Sequence, residues 1–96
     1  MTSIDDIRSA LTDIAPEFGV LRAYLFGSYA RGDQTRESDI DLLVVLEAPL
    51  GFKRARFYEE LEQRLGLPVD IIFGESQLYE PARESFNRDK VMIYAA

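Results

Sequence analysis

The sequence predicts an α+β fold in which a mixed sheet is flanked by helices, in the order α-β-α-β-α-β-α with a possible final strand. Apolar residues at helical spacing alternate along the chain with short apolar runs that are typical of buried strands. The strongest run, DIDLLVVL at 39–46, ends in a continuous apolar stretch, which is typical of a central strand covered on both faces. Only a short connection separates the first two strands, which favours an antiparallel pair.

The first half of the chain is expected to form a helix, a strand and a loop. Ser3 is a suitable N-cap for the first helix, and Pro16 and Gly19 are expected to end it. Its apolar face consists of Ile4, Ile7, Leu11 and Ile14. A strand follows at 20–26, and residues 30–38 are expected to form a short helical turn and a loop.

The second half is expected to contain two helices and two further strands. The strand at 39–46 is followed by a helix at 53–65, and the next strand is VDIIF at 69–73. Ser76 is expected to cap a last helix. Residues 91–94 are predicted as a short strand or a tail.

Composition narrows the classes of function. The 96 residues are expected to form one domain, residues 1–96, and they carry a formal charge of −6. The sequence contains neither cysteine nor histidine, which excludes disulfides, thiol nucleophiles, Ser-His-Asp catalysis and His-ligated metals. The acidic balance argues against direct binding of nucleic acid or of an anionic membrane. The beginning of the chain does not resemble a signal peptide, and we expect a cytoplasmic protein.

Aspartates interrupt two of the predicted strands. Asp39 and Asp41 are two residues apart, which places both on one face at roughly 7 Å along the strand. Asp70 interrupts a third strand, which is expected to lie next to this one. The alternative is a structural role for each aspartate. Asp39 would cap the loop, and Asp41 and Asp70 would each pair with an arginine. Clustered carboxylates repel each other unless a cation lies among them, and an all-oxygen site favours Mg²⁺ or Mn²⁺.

A Gly-Ser pair follows the first strand directly. Glycine lets a backbone approach a ligand closely, and successive amides at such a turn can bind an anion. Gly27-Ser28 is therefore a candidate phosphate site, although an ordinary turn is an alternative. The combination of this turn with the aspartate strand eleven residues later, from Ser28 to Asp39, is more informative than either alone.

The run GSYARGDQTRESDIDLL at 27–43 resembles the signature of the nucleotidyltransferases of the DNA polymerase β superfamily. It is most similar to the minimal nucleotidyltransferases, or MNT domains, and the later V-D-I around Asp70 matches in order and spacing. The resemblance covers most of the chain from Leu25 onward. It implies the small nucleotidyltransferase fold and a metal-dependent transfer of a nucleoside monophosphate.

The resemblance also implies a role for each motif residue. Gly27 and Ser28 would hold the β- and γ-phosphates of ATP, and Asp39 and Asp41 would bind the Mg²⁺ that accompanies the nucleotide. Asp70 would complete a second metal site and help to deprotonate the acceptor hydroxyl. Two metal ions that flank an in-line displacement supply positioning and charge neutralisation without a histidine or cysteine.

Three other residues within the motif have a possible role at the site. Arg31 follows the turn, and both it and Arg36 are candidates to contact the triphosphate. A structural ion pair is the alternative for each. Ser38 is expected to shape the entry to the strand.

Two further groups are weighed as partner surfaces. The basic cluster of Lys53, Arg54 and Arg56 opens a helix, where the dipole disfavours cations, and this suggests an external anion or an acidic partner. A solvated helix face is the alternative. Most aromatic side chains are expected in the core, with some available for a partner patch; they are Phe57, Tyr58, Phe73, Tyr79 and Phe86.

The resemblance implies a protein partner. Small MNT proteins are commonly antitoxins paired with a HEPN-domain toxin, an RNase, which they silence by transferring AMP to a tyrosine or by binding. Larger nucleotidyltransferases carry a second domain that grips the acceptor, and we expect the partner to take that place here. The alternatives are an antitoxin that masks its toxin without catalysis, and the catalytic subunit of a small-molecule nucleotidyltransferase.

Overall fold

The computed structural model describes residues 2–96 and confirms the predicted order of elements, including the final strand. The helices are α1 (Ile4–Phe18), α2 (Ser28–Arg31), α3 (Lys53–Leu65) and α4 (Ala82–Asp89), with a 3₁₀ turn at Glu75–Gln77. The strands are β1 (Val20–Phe26), β2 (Ile40–Leu46), β3 (Val69–Phe73) and β4 (Val91–Ala95).

The four strands form one mixed sheet in the order β3-β2-β1-β4. β1 is antiparallel to both β2 and β4, as its short connection to β2 predicted. β2 and β3 are parallel, and the chain crosses between them through α3. The most apolar strand, β2, is therefore internal, and the strand that carries Asp70 lies next to it.

The sheet is covered on both faces, but unequally. The larger core lies between one face and the helices α1 and α3, and it includes Ile40, Leu42 and Val44 from β2. A smaller core on the other face joins β1 and β2 to α4 and the segment before it, and consists of Phe26, Leu43, Leu78 and Phe86. Successive residues of β2 thus enter different cores, which explains its uninterrupted apolar sequence.

α1 begins as predicted but does not end at Pro16. The Ser3 hydroxyl accepts a hydrogen bond from the Asp6 amide at 3.1 Å, and the Asp6 carboxylate accepts one from the Ser3 amide at 2.9 Å. Pro16 lies inside the helix, and Gly19 ends it in the left-handed conformation with φ 68°. Pro16 is exposed in the last turn, so its missing N–H costs a single bond at a position that water can reach.

Other boundaries also differ from the prediction. Ser76 does not cap the last helix, because it lies in the 3₁₀ turn, and α4 begins six residues later with Pro81 at its N-cap position. A proline is readily accommodated at the start of a helix, where its missing N–H costs no helical bond, and α4 starts directly after Pro81. α2 begins at Ser28 rather than Ala30, and β2 begins at Ile40 rather than Asp39.

The aromatic side chains divide between core and surface. Phe57 and Phe86 are fully buried, and the Phe57 ring contacts the edge of Phe18 with centroids 5.0 Å apart. Tyr58 and Phe73 are half-buried against the larger core. Tyr79 is 72% exposed, so its expected place in the core is wrong.

Within residues 2–96, the longest apolar helical stretch falls short of what a membrane crossing requires.

We expect Ser3→Ala to lower the free energy of unfolding by about 1 kcal/mol, because it removes the hydroxyl that accepts the hydrogen bond from the Asp6 amide at the start of α1. For a domain of this size this corresponds to a fall in Tm of about 4–8 °C. Ser9→Ala is the matched control, since Ser9 is exposed in the middle of the same helix and alanine has the higher helix propensity. Equal melting temperatures for the two variants would contradict the capping role.

Candidate functional site

The sheet brings three separate segments to one edge. β1 ends at Phe26, and the antiparallel pairing sets Phe26 opposite Asp41 at the start of β2. The parallel register sets Asp41 opposite Asp70 at the start of β3. Residues paired across neighbouring strands share a face, so Asp41 and Asp70 lie side by side on the face that α4 partly covers.

Asp39 lies just before β2 and is exposed. Its negative charge acts on Asp41, as does that of Asp70, which shows that the three carboxylates share one electrostatic environment. The chain therefore gathers the three aspartates that the sequence singled out. Their roles as metal ligands and catalytic residues stay predictions.

Asp41 is the most strongly perturbed of these acids. Burial in the sheet edge, reinforced by the negative charges of Asp70 and Asp39, raises the pKa of Asp41 to about 6. The positive charge of Arg31 acts in the opposite direction. The ionised form of this carboxylate is thus disfavoured by its surroundings, and a nearby cation would remove that penalty.

Gly27 passes directly over Asp41. Its φ of 73° and ψ of −154° lie in a region that side-chain-bearing residues rarely adopt. A Cβ at this position would collide with Oδ2 of Asp41 and lie 3.2 Å from its Cγ. Glycine is therefore required both by the backbone conformation and by the close approach to the carboxylate.

The glycine turn, which we define as residues 27–32, leads from β1 into α2. The Gly27 carbonyl accepts hydrogen bonds from the amides of Ala30 and Arg31, both at 3.1 Å. The amides of Ser28 and Tyr29, at the start of this helical turn, have no acceptor within it. The turn therefore offers backbone donors beside the aspartates, as an anion-binding turn requires.

Arg31 is held by two carboxylates. Its Nε donates to Asp33 at 3.0 Å, and its Nη1 donates to Asp89 at 2.7 Å. The structure thus confirms the ion pair that the sequence left as an alternative. The guanidinium is still close enough to lower the pKa of Asp41, so contact with a triphosphate stays a prediction.

The loop before β2 behaves as expected at Ser38. The Ser38 hydroxyl accepts a hydrogen bond from the Thr35 amide at 2.8 Å and so closes the turn that leads into the strand. Arg36 is exposed and lines a cleft of about 520 Å³ with Tyr29 and Gln34. None of the three aspartates lines this cleft, so a contact between Arg36 and a nucleotide there stays a prediction.

The basic cluster at the start of α3 has partners within the chain. Arg54 lies over the Phe73 ring at 4.9 Å, and Arg56 forms ion pairs with Glu17 and Glu60. Cation–π and ion-pair contacts of this kind account for two of the three basic residues. The suggestion of an external anion at this helix is correspondingly weakened.

The edge fits a divalent cation by its chemistry. Carboxylate oxygens are its donors, no side chain at Gly27 covers Asp41, and the pKa of Asp41 is raised by burial and by neighbouring negative charge, both of which a cation would offset. Within residues 2–96, no three acidic side chains are already arranged as a full set of ligands. A metal would have to draw the carboxylates together, and Asp41 and Asp70 are the pair best placed to begin.

Asp89 and Arg88 were missed by sequence reasoning. Asp89 is 58 residues from its partner Arg31, and no spacing rule connects a terminal helix with a turn in the first third of the chain. The sequence offered one indirect signal, namely an acidic residue in the last turn of a helix, where the dipole disfavours it.

We expect Asp41→Asn to stabilise the nucleotide-free protein above pH 6 by about 1 kcal/mol, allowing for solvent screening of a half-buried group. A carboxyl whose pKa is raised in the folded state contributes stability below its unfolded pKa of 3.8, and this is lost as the pH rises through about 6. Urea unfolding at pH 4 and pH 7.5 checks the sign, because the gain must appear at the higher pH. Glu59→Gln, at an exposed position, is the control; a gain of equal size at both pH values would contradict the raised pKa.

Solved structures with a similar fold include toxin–antitoxin proteins. A crystal structure of a toxin–antitoxin with AMP-PNP matches 99% of this chain and 75% of its own, with a TM-score of 0.73 and 25% identity. One chain in the structure of a tri-AMPylated Shewanella oneidensis HEPN toxin in complex with an MNT antitoxin also matches. The match covers 97% of this chain and 70% of that chain, with a TM-score of 0.64. At 22% identity, the second likeness shows the fold alone.

Sequence comparison gives the family. The protein adenylyltransferase MntA of Thermococcus cleftensis is 38% identical over 81 residues, which cover 79% of this chain and 82% of that protein. The family model described as the nucleotidyltransferase domain matches residues 4–96. The fold, the aspartates at the sheet edge and the glycine turn agree with this match, and the chain belongs to the nucleotidyltransferase domain family.

Proposed function

We propose that this nucleotidyltransferase transfers AMP from ATP to a hydroxyl, most simply a tyrosine, of a HEPN-domain toxin, and that it acts as the antitoxin of that toxin in the cytoplasm. The name of the Thermococcus relative supports transfer of AMP to a protein. The toxin–antitoxin structure with AMP-PNP supports a toxin as partner and a nucleotide of the ATP type. The HEPN type of the toxin is what the resemblance of the motif at 27–43 implies.

One observation carries the proposal. Asp41 and Asp70 are paired across two parallel strands, and the glycine turn passes directly over Asp41. Backbone amides that can bind a polyphosphate and carboxylates that can bind a cation thus lie at one edge of the sheet. Group transfer from a nucleoside triphosphate needs this combination of positioning and charge neutralisation more than it needs a covalent nucleophile.

The glycine turn would bind the leaving end of the nucleotide. Backbone amides at Gly27 and Ser28 are proposed to donate to the β- and γ-phosphates, with the positive charge of Arg31 nearby. Held there, the α-phosphate comes to lie over Asp41 and Asp70. The acceptor oxygen forms a bond to the α-phosphorus, the bond between that phosphorus and the bridging oxygen breaks, and pyrophosphate leaves.

The aspartates are proposed to hold Mg²⁺, or Mn²⁺ in its place. Asp39 and Asp41 would hold the ion that accompanies ATP, and Asp70 would share a second with Asp41. Bound there, the metal would supply neutralisation of the phosphate charge and a lower pKa for the acceptor hydroxyl. The exposed Asp70 carboxylate lies at the outer side of the pair, where it can accept the hydroxyl proton as the new bond forms.

The charge of the chain suits a basic protein partner. A net charge of −6 favours encounter with the positive surface that an RNase needs to hold RNA, and it disfavours direct contact with the RNA itself. Exposed apolar side chains are available for such a contact, among them Tyr79 at 72% and Met92 at 52% exposure.

Masking without catalysis is the second candidate. It is favoured by the lack of a preassembled three-acid ligand set within residues 2–96. An antitoxin of this kind would need its surface but not its carboxylates, and this difference separates the two candidates by experiment.

We expect Mg²⁺ with ATP to raise the Tm of the wild-type chain, because a ligand that binds only the folded state stabilises it. At a concentration of 100 times Kd the gain is about 2.7 kcal/mol. Asp39→Asn and Asp41→Asn should lose most of this shift, whereas Asp70→Asn should keep much of it and lose AMP transfer. ATP with EDTA is the control, and a full shift in either of the first two variants would exclude those residues as the metal site.

We expect the toxin to gain about 329 Da for each AMP when it is co-expressed with the wild-type chain, as two-metal transfer to a hydroxyl requires. Intact mass spectrometry of the toxin and an RNase assay measure the two consequences. Asp39→Asn combined with Asp41→Asn should leave the toxin unmodified and active. Glu59→Gln combined with Glu84→Gln changes the net charge equally at exposed positions of α3 and α4, and it should retain full transfer.

The outcomes distinguish the two candidates. If the double aspartate variant neutralises the toxin as well as the wild type does at equal expression, the antitoxin acts by masking. If the wild type leaves the mass of the toxin unchanged, the proposed acceptor is wrong.

A further inference from the structure

We propose that Asp89 on α4 is a positioning residue for the glycine turn and that it acts through Arg31. The inference rests on the proposed function, since it assigns the turn to the phosphates of ATP. It adds a residue from the last helix of the chain, outside the motifs that define the site.

Asp89 is enclosed by donors. Its carboxylate accepts hydrogen bonds from Arg31 Nη1 at 2.7 Å, from Arg88 Nε at 3.0 Å and from the Ser85 hydroxyl at 3.4 Å. Its side chain is only 6% exposed, although the other aspartates that pair with arginines within residues 2–96 are more than half exposed; they are Asp5, Asp13 and Asp33. The two guanidinium groups hold the pKa of Asp89 at about 2, so it is an anion throughout the neutral range.

α4 contacts the chain on both sides of Gly27. Phe86 and Asp89 are three residues apart and so lie on one face of the helix. The Phe86 ring packs against the edge of Phe26, the residue before Gly27, with centroids 5.5 Å apart. Asp89 bonds Arg31 at the end of α2, so the apolar contact fixes the entry to the turn and the ion pair fixes its exit.

The same contacts orient the guanidinium of Arg31. Asp89 accepts from Nη1 and Asp33 accepts from Nε, and two bonds from different nitrogens define the plane of the group. The charge held in this way lies within electrostatic reach of Asp41, where the phosphates are expected. A cation and a set of amides that are ordered beforehand lose less entropy when the nucleotide binds.

Amide hydrogen exchange of the nucleotide-free chain tests whether Asp89 stabilises the glycine turn, and it requires no reaction. The backbone bonds at the end of the turn run from the Gly32 amide to the Ser28 carbonyl at 2.9 Å and from the Arg31 amide to the Gly27 carbonyl at 3.1 Å. In the wild type, opening of the turn has to break the ion pair between Arg31 and Asp89. We expect Asp89→Asn to speed exchange at these amides by about tenfold, because opening of the turn then costs less free energy. Glu84→Gln, an exposed acid on the same helix, should leave exchange unchanged, and Asp89→Glu should restore part of the protection.

Titration with Mg²⁺ and ATP tests the consequence for binding. We expect Asp89→Asn to weaken binding by about five- to tenfold, and Arg31→Gln to weaken it at least as much. If Asp89 acts through Arg31, the double variant should bind no more weakly than Arg31→Gln alone, since the effects of coupled residues do not add. Arg31→Lys keeps the positive charge but cannot bond Asp33 and Asp89 at the same time. If Asp89→Asn does not fold, hydrogen exchange and nucleotide titration are measured on Arg31→Lys instead.

Each outcome decides one point. Unchanged exchange and unchanged binding in Asp89→Asn, or additive losses in the double variant, would overturn the positioning role while the proposed reaction stands. Failure of the wild-type chain to bind ATP with Mg²⁺ would overturn the proposed function and the role in nucleotide binding. The exchange experiment would then still decide whether α4 stabilises the glycine turn.

Discussion

Repulsion between two neighbouring carboxylates is the constraint on which the rest of the site depends. The parallel register of β2 and β3 sets Asp41 beside Asp70, and burial makes the charge on Asp41 costly. Folding must overcome this cost when no cation is present, and the two cores supply the compensation. A site that is destabilising alone and favourable with its ligand is typical of binding machinery, which natural proteins retain at some loss of stability.

The two-sided sheet explains how the register is maintained. A slip of β3 by one residue would turn Asp70 into the larger core and Ile71 out of it, at a large cost in free energy. The apolar residues of β2 that alternate between the two cores lock that strand in the same way. Gly27 adds a steric condition, because only a residue without a side chain can pass over Asp41. Packing in the two cores therefore determines how Asp41 and Asp70 lie relative to each other.

Much of the fold could be predicted because its signals are local. Helical spacing, apolar runs and terminating glycines placed β1, α3 and β3 at their observed bounds, and the expectation that the third strand lies next to β2 placed Asp70 near Asp41. Errors arose where tertiary context overrides a local rule: Pro16 is accommodated in an exposed last turn, and Tyr79 lies on the surface. The link between Arg31 and Asp89 could not be predicted, because it depends on how α4 returns across the sheet.

The acidity of the chain and its lack of histidine and cysteine point to the same chemistry. ATP carries several negative charges, and a chain with a net charge of −6 whose site contains three aspartates repels the free nucleotide. The positive elements at this edge are the glycine-turn amides and the guanidinium of Arg31, and the carboxylates on Arg31 offset part of its charge. In the proposed reaction a cation would offset that repulsion. The carboxylates would then select nucleotide that arrives with its metal, because the groups that repel free ATP are those proposed to hold the metal complex.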